Sequence, residues 1–170
     1  MNPSTERILA VDPGYDRCGV AVLTKSASLP DILYSTCITT NKKDAQEKRL
    51  ADIYYALEKV IIQWQPTALA LETIFFSVNK KTAIKVAEAR GAILLLAGTT
   101  GLPLIELSPQ EVKLSMTGVG NAKKEQVQKM VSLTLKLDTS KRLDDEIDAI
   151  ALGAAALQKV RVENFKKSLA

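Results

Sequence analysis

Two short apolar runs in this chain each end in an acid. Ile8-Leu9-Ala10-Val11 leads to Asp12, and Ala68-Leu69-Ala70-Leu71 leads to Glu72. Runs that are apolar at every position, rather than at alternate ones, suit strands covered on both faces. The chain is thereby restricted to a layered architecture with at least two central strands. An acid closing such a strand is costly unless something cationic meets it. A second pair of acids, Asp145 and Asp148, opens a late alanine-rich helix, and residues three apart share a helix face. Brought together, four carboxylates would repel and raise one another's pKa, so the set makes sense chiefly as a divalent-cation site. The chain has no histidine. All ligands would then be oxygen, which favours Mg²⁺ or Mn²⁺ over zinc.

The remaining elements follow from pattern. Ile8–Val11, Gly19–Thr24 and Ile32–Thr39 read as consecutive antiparallel strands, separated by Pro13-Gly14 and by Ser28-Leu29-Pro30-Asp31. A helix is predicted from Asp44 to Trp64, with Leu50, Ile53, Tyr54, Leu57, Val60, Ile61 and Trp64 on one face and Pro66 ending it. After the strand Ala68–Glu72 come a helix over Lys80–Ala97 and a strand over Leu102–Leu107. Ser108-Pro109-Gln110-Glu111 combines a capping box with proline at the first helical position. A glycine loop at 117–121 and helices over Lys124–Leu137 and Asp144–Lys159 complete the chain.

This order, β-β-β-α-β-α-β-α-α-α, predicts a mixed α/β layer structure. A right-handed crossover would set the fourth strand parallel to the first. Asp12 and Glu72 would then stand about 5 Å apart on neighbouring strands, at the sheet end where open α/β sheets place their ligands.

Length and charge set the broad class. The 170 residues, 46% hydrophobic and 25% charged, are about one domain long. Residues 1–160 are expected to form that domain, and 161–170 a basic, frayed tail. A net charge of +4 is a weak pointer to a polyanionic partner. Cys18 and Cys37 have no metal-type spacing and read as buried, reduced thiols of a cytoplasmic protein. No apolar run approaches the about 20 residues of a membrane span.

The residues also carry a family pattern. Asp12-Pro13-Gly14, Glu72 followed by Phe75, and Asp145-Glu146-Ile147-Asp148-Ala149-Ile150-Ala151 resemble RuvC-type Holliday-junction resolvases, endonucleases of the ribonuclease-H-like fold. Gln110–Lys113, Gly118–Lys124, Gln126-Val127-Gln128 and Glu88-Ala89-Arg90-Gly91 are similar to the same family. The likeness spans residues 7 to 160. It implies a ribonuclease-H-like mixed five-stranded sheet flanked by helices, with Asp12, Glu72, Asp145 and Asp148 as catalytic ligands of two Mg²⁺ ions, or Mn²⁺. Asp12 would bridge the pair. It further implies that Lys113 and Lys124 act near the scissile phosphate, and that Phe75 contacts bases at the crossover. Asn79 and Lys80 join them as candidate DNA contacts, although Lys80-Lys81 also reads as a solvated helix start. The implied substrate is a four-way DNA junction cut by paired symmetric nicks in recombination and repair. The implied partners are a second copy of the chain, joined through the second long helix, and a branch-migration motor complex of the RuvA–RuvB type.

The chain also departs from that pattern. Tyr15-Asp16-Arg17 replaces smaller and basic residues after Asp-Pro-Gly, and Asp16 adds negative charge near the site. Asp144 beside Asp145 leaves the fourth ligand open by one position. Glu146 and Ile147 stand where smaller residues are usual. Each motif also has a plain reading: Asp-Pro-Gly as a turn, Glu72 as a salt-bridged acid, and Asp144–Glu146 as acids favoured by a helix dipole. Three rivals therefore stand beside the resolvase: a nuclease of RNA–DNA hybrids or ribosomal RNA precursors, a junction-binding protein without catalysis, and an actin-like ATP-binding protein. The last would need two lobes, for which 170 residues leave no room.

Overall fold

A computed structural model describes residues 6–25, 29–73 and 80–168. Strands β1 (Arg7–Asp12), β2 (Arg17–Thr24) and β3 (Asp31–Thr39) precede α1 (Gln46–Trp64), β4 (Ala68–Glu72), α2 (Lys80–Thr100) and β5 (Leu104–Leu107). Helices α3 (Pro109–Thr117), α4 (Lys124–Leu135) and α5 (Asp144–Ser168) follow. The sheet order is β3-β2-β1-β4-β5. The first three strands pair antiparallel, and β4 and β5 run parallel to β1. This is the expected mixed five-stranded sheet.

Alternation along the strands divides the interior into two layers. Leu9, Val11, Val20, Val22, Leu69 and Leu71 face one side, where they meet Ile53 and Leu57 of α1 and Ala89, Ile93 and Leu96 of α2. Ile8, Ala10, Ala21, Leu23, Ala68 and Ala70 face the other, against α3, α4 and above all α5. Four of these six strand residues are alanines, and the helix above them is alanine-rich in turn: Ala149, Ala151, Ala154, Ala155 and Ala156 are all buried. A Cβ on Gly153 would fall 3.1 Å from the Ala10 Cβ and 2.3 Å from Leu23 Cδ1. Burial on both sides removes most of the central strands' apolar area from water, at about 25 cal/mol per Å².

The helix ends follow their signals. Ser108 accepts from the Glu111 amide, and the Glu111 carboxylate returns to the Ser108 amide at 2.7 Å. Gly118 (φ +76°) takes the left-handed conformation that closes α3. Most boundaries shift by one or two residues, and two helices run further past their expected ends. Helix α2 runs to Thr100, where Gly101 (φ +68°) ends it. Helix α5 runs on to Ser168 rather than stopping at Lys159, because 160–168 contains neither glycine nor proline to break it. The tail expected to fray is the end of that helix. Cys18 is buried, but Cys37 only partly. Among the described residues, no helix is long and apolar enough to cross a membrane.

Candidate active site

The strand register brings the first two acids together. Ile8 through Val11 pair with Ala68 through Leu71, so Asp12 and Glu72 lie side by side one step further on. Both continue the face of Ala10 and Ala70, which α5 covers. The end of β4 is tied in place from the far side: the Thr73 amide donates to the Leu107 carbonyl at 2.9 Å, and Arg90 of α2 donates to the Glu72 carbonyl at 3.4 Å while pairing with Glu106 of β5.

The first turn of α5 delivers the other acids. It can approach because β2 has Gly19 at the contact; a Cβ there would lie 1.8 Å from the Asp145 carbonyl oxygen. A glycine inside a strand is the sequence signal for such a close approach, though it belongs to none of the acid motifs. The turn is also fastened to β3. Ser35 donates to Glu146 at 2.7 Å, and Arg142 bonds both. Glu146, which departs from the smaller residue expected at its position, is therefore a buried anchor.

The electrostatics show one coupled cluster. The Asp12 carboxyl is pushed up to about 8, first by burial and then by Glu72, Asp148 and Asp145. Glu72 rises to about 7 through burial and Asp148, against the pull of Lys113 and Lys124. Burial also raises Asp148, although Lys124 opposes it. Asp144 differs: a hydrogen bond from Gln128, with Lys124 nearby, holds it below its usual value. It is exposed and absent from the groups that perturb Asp12.

Two cations stand on these acids. Lys124 Nζ lies 2.9 Å from Asp148 Oδ2 and 3.5 Å from Asp144 Oδ2. Burial alone would depress its ammonium, but the Asp148 contact raises it. Arg17 Nε lies 3.0 Å from Asp145 Oδ2. That contact lacks hydrogen-bond alignment, so the buried oxygen has no hydrogen-bond partner. Among the described residues no three acids already enclose an ion-sized space. The donor set nevertheless fits a hard divalent cation: all oxygen, half-buried, mutually repelling, and with one buried oxygen that accepts no hydrogen bond.

Lys113 and Lys124 share a pocket of about 220 Å³ with Glu72 and Asp148, walled by Val112, Val127 and Ala151. Both expected lysines thus reach the acid cluster. Phe75, Phe76 and Asn79 lie outside the described residues, and of Lys80 only its place as the first residue of α2 is described. Asp16 is not the stray charge its position suggested. Arg49 Nη2 holds it at 2.5 Å and Lys42 Nζ at 3.3 Å, and its carboxyl is depressed, chiefly by the Arg49 bond.

A sheet of this order, with acids at the ends of its two central parallel strands and on a helix laid across them, is the ribonuclease-H-like class of nuclease architecture. Comparison with known proteins narrows the class. A family model described as "Crossover junction endodeoxyribonuclease RuvC" matches residues 8–156. The chain is 44% identical over 146 residues to the Thermosipho melanesiensis protein of that name, spanning 86% of this chain and 93% of the relative. The Moorella thermoacetica protein is 43% identical over 145 residues, spanning 85% and 87%. Among solved structures, Thermus thermophilus RuvC in complex with Holliday junction substrate superposes with a TM-score of 0.85 at 29% identity, covering 93% of this chain and 96% of that one. The chain belongs to the RuvC family of crossover junction endodeoxyribonucleases.

Proposed function

We propose that this chain resolves four-way DNA junctions by paired nicks, with Asp12, Glu72, Asp145 and Asp148 holding the metal at which one phosphodiester is hydrolysed. The observation that carries this is the shared field at Asp12. The β1–β4 register sets it beside Glu72 and the close approach of α5 at Gly19 brings in Asp145 and Asp148; burial and these acids raise its carboxyl, and a bound cation relieves that repulsion without protonation. Asp145, rather than Asp144, is assigned as the fourth ligand because it faces that field while Asp144 turns to Gln128.

Bound there, divalent cations such as Mg²⁺ would supply Lewis acidity for activating a water and for neutralising the leaving 3′ oxygen. The protein's part is to orient. Asp12, which feels the charge of all three other acids, would hold the metal with them; Glu72 and Asp148 face the pocket that holds Lys113 and Lys124. These ammonium groups stabilise the phosphorane-like charge as the water oxygen bonds to phosphorus and the bond to the 3′ oxygen breaks. The anchor through Ser35, Arg142 and Glu146 holds the first turn of α5, and with it Asp145 and Asp148, against β3.

The second copy of the chain belongs to this proposal. Helix α2 buries Ala89, Ile93 and Leu96 in the core but leaves Ile84 68% and Leu95 61% exposed. Gly91 and Gly98 lie on the exposed side with open space above them. That stripe suits a two-fold contact, and a C₂ dimer suits a junction with two scissile phosphates. A branch-migration motor and a cytoplasmic setting go with the family reading.

The test is a synthetic four-way junction with a mobile core, incubated with protein and Mg²⁺ beside EDTA, linear duplex, RNA–DNA hybrid and Asp148→Asn controls. Paired symmetric nicks on the junction alone, abolished by EDTA and by the substitution, are expected. Tight binding without cleavage identifies a binding module instead, and preference for the hybrid identifies another ribonuclease-H-like nuclease.

A further inference from the structure

We propose that the groove bordering the acid cluster at Asp145, separate from the pocket of Lys113 and Lys124, is a second backbone track, where Arg17, Lys42 and Lys85 receive DNA phosphates flanking the scissile one. The inference rests on the nuclease reading above. Glu72 and Asp148 wall the first pocket. Asp145 walls a second, wider groove of about 760 Å³, lined also by Arg17, Thr39, Lys42 and Lys85. A strand whose phosphate sits over the acids must leave them in two directions. One exit carries Lys113 and Lys124; the other carries these three cations, contributed by β2, the turn after β3, and α2.

The cations are mounted on a rigid platform. Tyr15 is buried, with the Arg49 guanidinium 3.7 Å above its ring and Lys85 Nζ at 5.0 Å. Arg49 is itself buried. It bonds Thr40 Oγ1 at 2.7 Å, the Tyr15 carbonyl at 3.2 Å and Asp16 at 2.5 Å. Asp16 is thus neutralised from inside the protein, and Lys42 is the second cation on one acid. Arg17 meets Asp145 through Nε, and among the described residues its terminal nitrogens have no partner. Counting Arg49, four cations line or underlie the groove against Asp16 and Asp145. The excess is positive, open and contiguous with the catalytic acids, as a polyanion's track must be.

Lys42 and Lys85 are the residues to test, because neither contacts the acid cluster. The Asp148→Asn protein in EDTA is titrated with a fluorescent four-way junction from 50 to 200 mM salt, alone and with Lys42→Ala plus Lys85→Ala. A charge-matched control carries Lys25→Ala plus Lys59→Ala, two exposed lysines outside both grooves. The groove variant is expected to lose about one unit of salt slope per lysine, with affinity falling about tenfold. Lys42→Arg plus Lys85→Arg is expected to restore both. A slope equal to that of the control overturns the second track while leaving the nuclease reading intact. No junction binding by the parent protein overturns both.

Discussion

The Cβ that Gly19 lacks would lie 1.8 Å from the carbonyl oxygen of Asp145. A missing methyl on a central strand therefore sets how closely the acid-bearing helix can approach Asp12. Gly19→Ala is expected to lift the first turn of α5, destabilise the fold by about 1–3 kcal/mol and slow junction cleavage by at least tenfold. Thermal unfolding and nicking rates measured together check this; full activity would show that α5 tolerates the displacement.

Metal-free protein is expected to lose stability as pH rises. Asp12 titrates near 8 and Glu72 near 7 in the fold, against about 4 when unfolded. Between those values the native state binds more protons than the unfolded chain, so the contribution of these two acids is fully present below about pH 4 and is lost as pH rises through 7 to 8. Each unit of displacement is worth about 1.4 kcal/mol. Urea unfolding in EDTA at pH 4 to 8.5 should show the decline. Asp12→Asn should flatten it, and added Mg²⁺ should oppose it in the parent protein.

Lys124 stands where it competes with a cation for Asp148. Lys124→Ala is expected to bind Mn²⁺ more tightly in calorimetry yet cut the junction about 10²-fold more slowly. Loss of both affinity and rate would mean that the lysine organises the acids rather than competing for them.

Asp16 is half-exposed but partners a buried guanidinium. Asp16→Ala should cost about 1–3 kcal/mol by leaving Arg49 short of its charged acceptor, with a lower melting temperature. It should not raise cleavage, since Asp16 is already neutralised where it stands. A gain in activity would restore the view that this acid repels the substrate.

The ten elements and their order were legible because each carries its own local signal: unbroken apolar runs at β1 and β4, helical spacing in α1, and the Ser108–Glu111 box at α3. The four acids were legible as a set because two close strands and two share a helix turn. Glu146 was not, since its role depends on Ser35, more than a hundred residues away. The effect of Asp16 was not legible for the same reason: the cation that neutralises it comes from α1.

Sequence by itself determined the layered α/β class, the parallel pairing of β1 with β4, and the family to which the motifs belong, because periodicity and chain order act through neighbours. Only the tertiary structure decided which of Asp144 and Asp145 faces Asp12, which cations stand on the acids, and how closely α5 approaches the sheet. Those outcomes depend on charges and atoms that meet across elements, and Coulomb energy follows distance in space rather than separation along the chain.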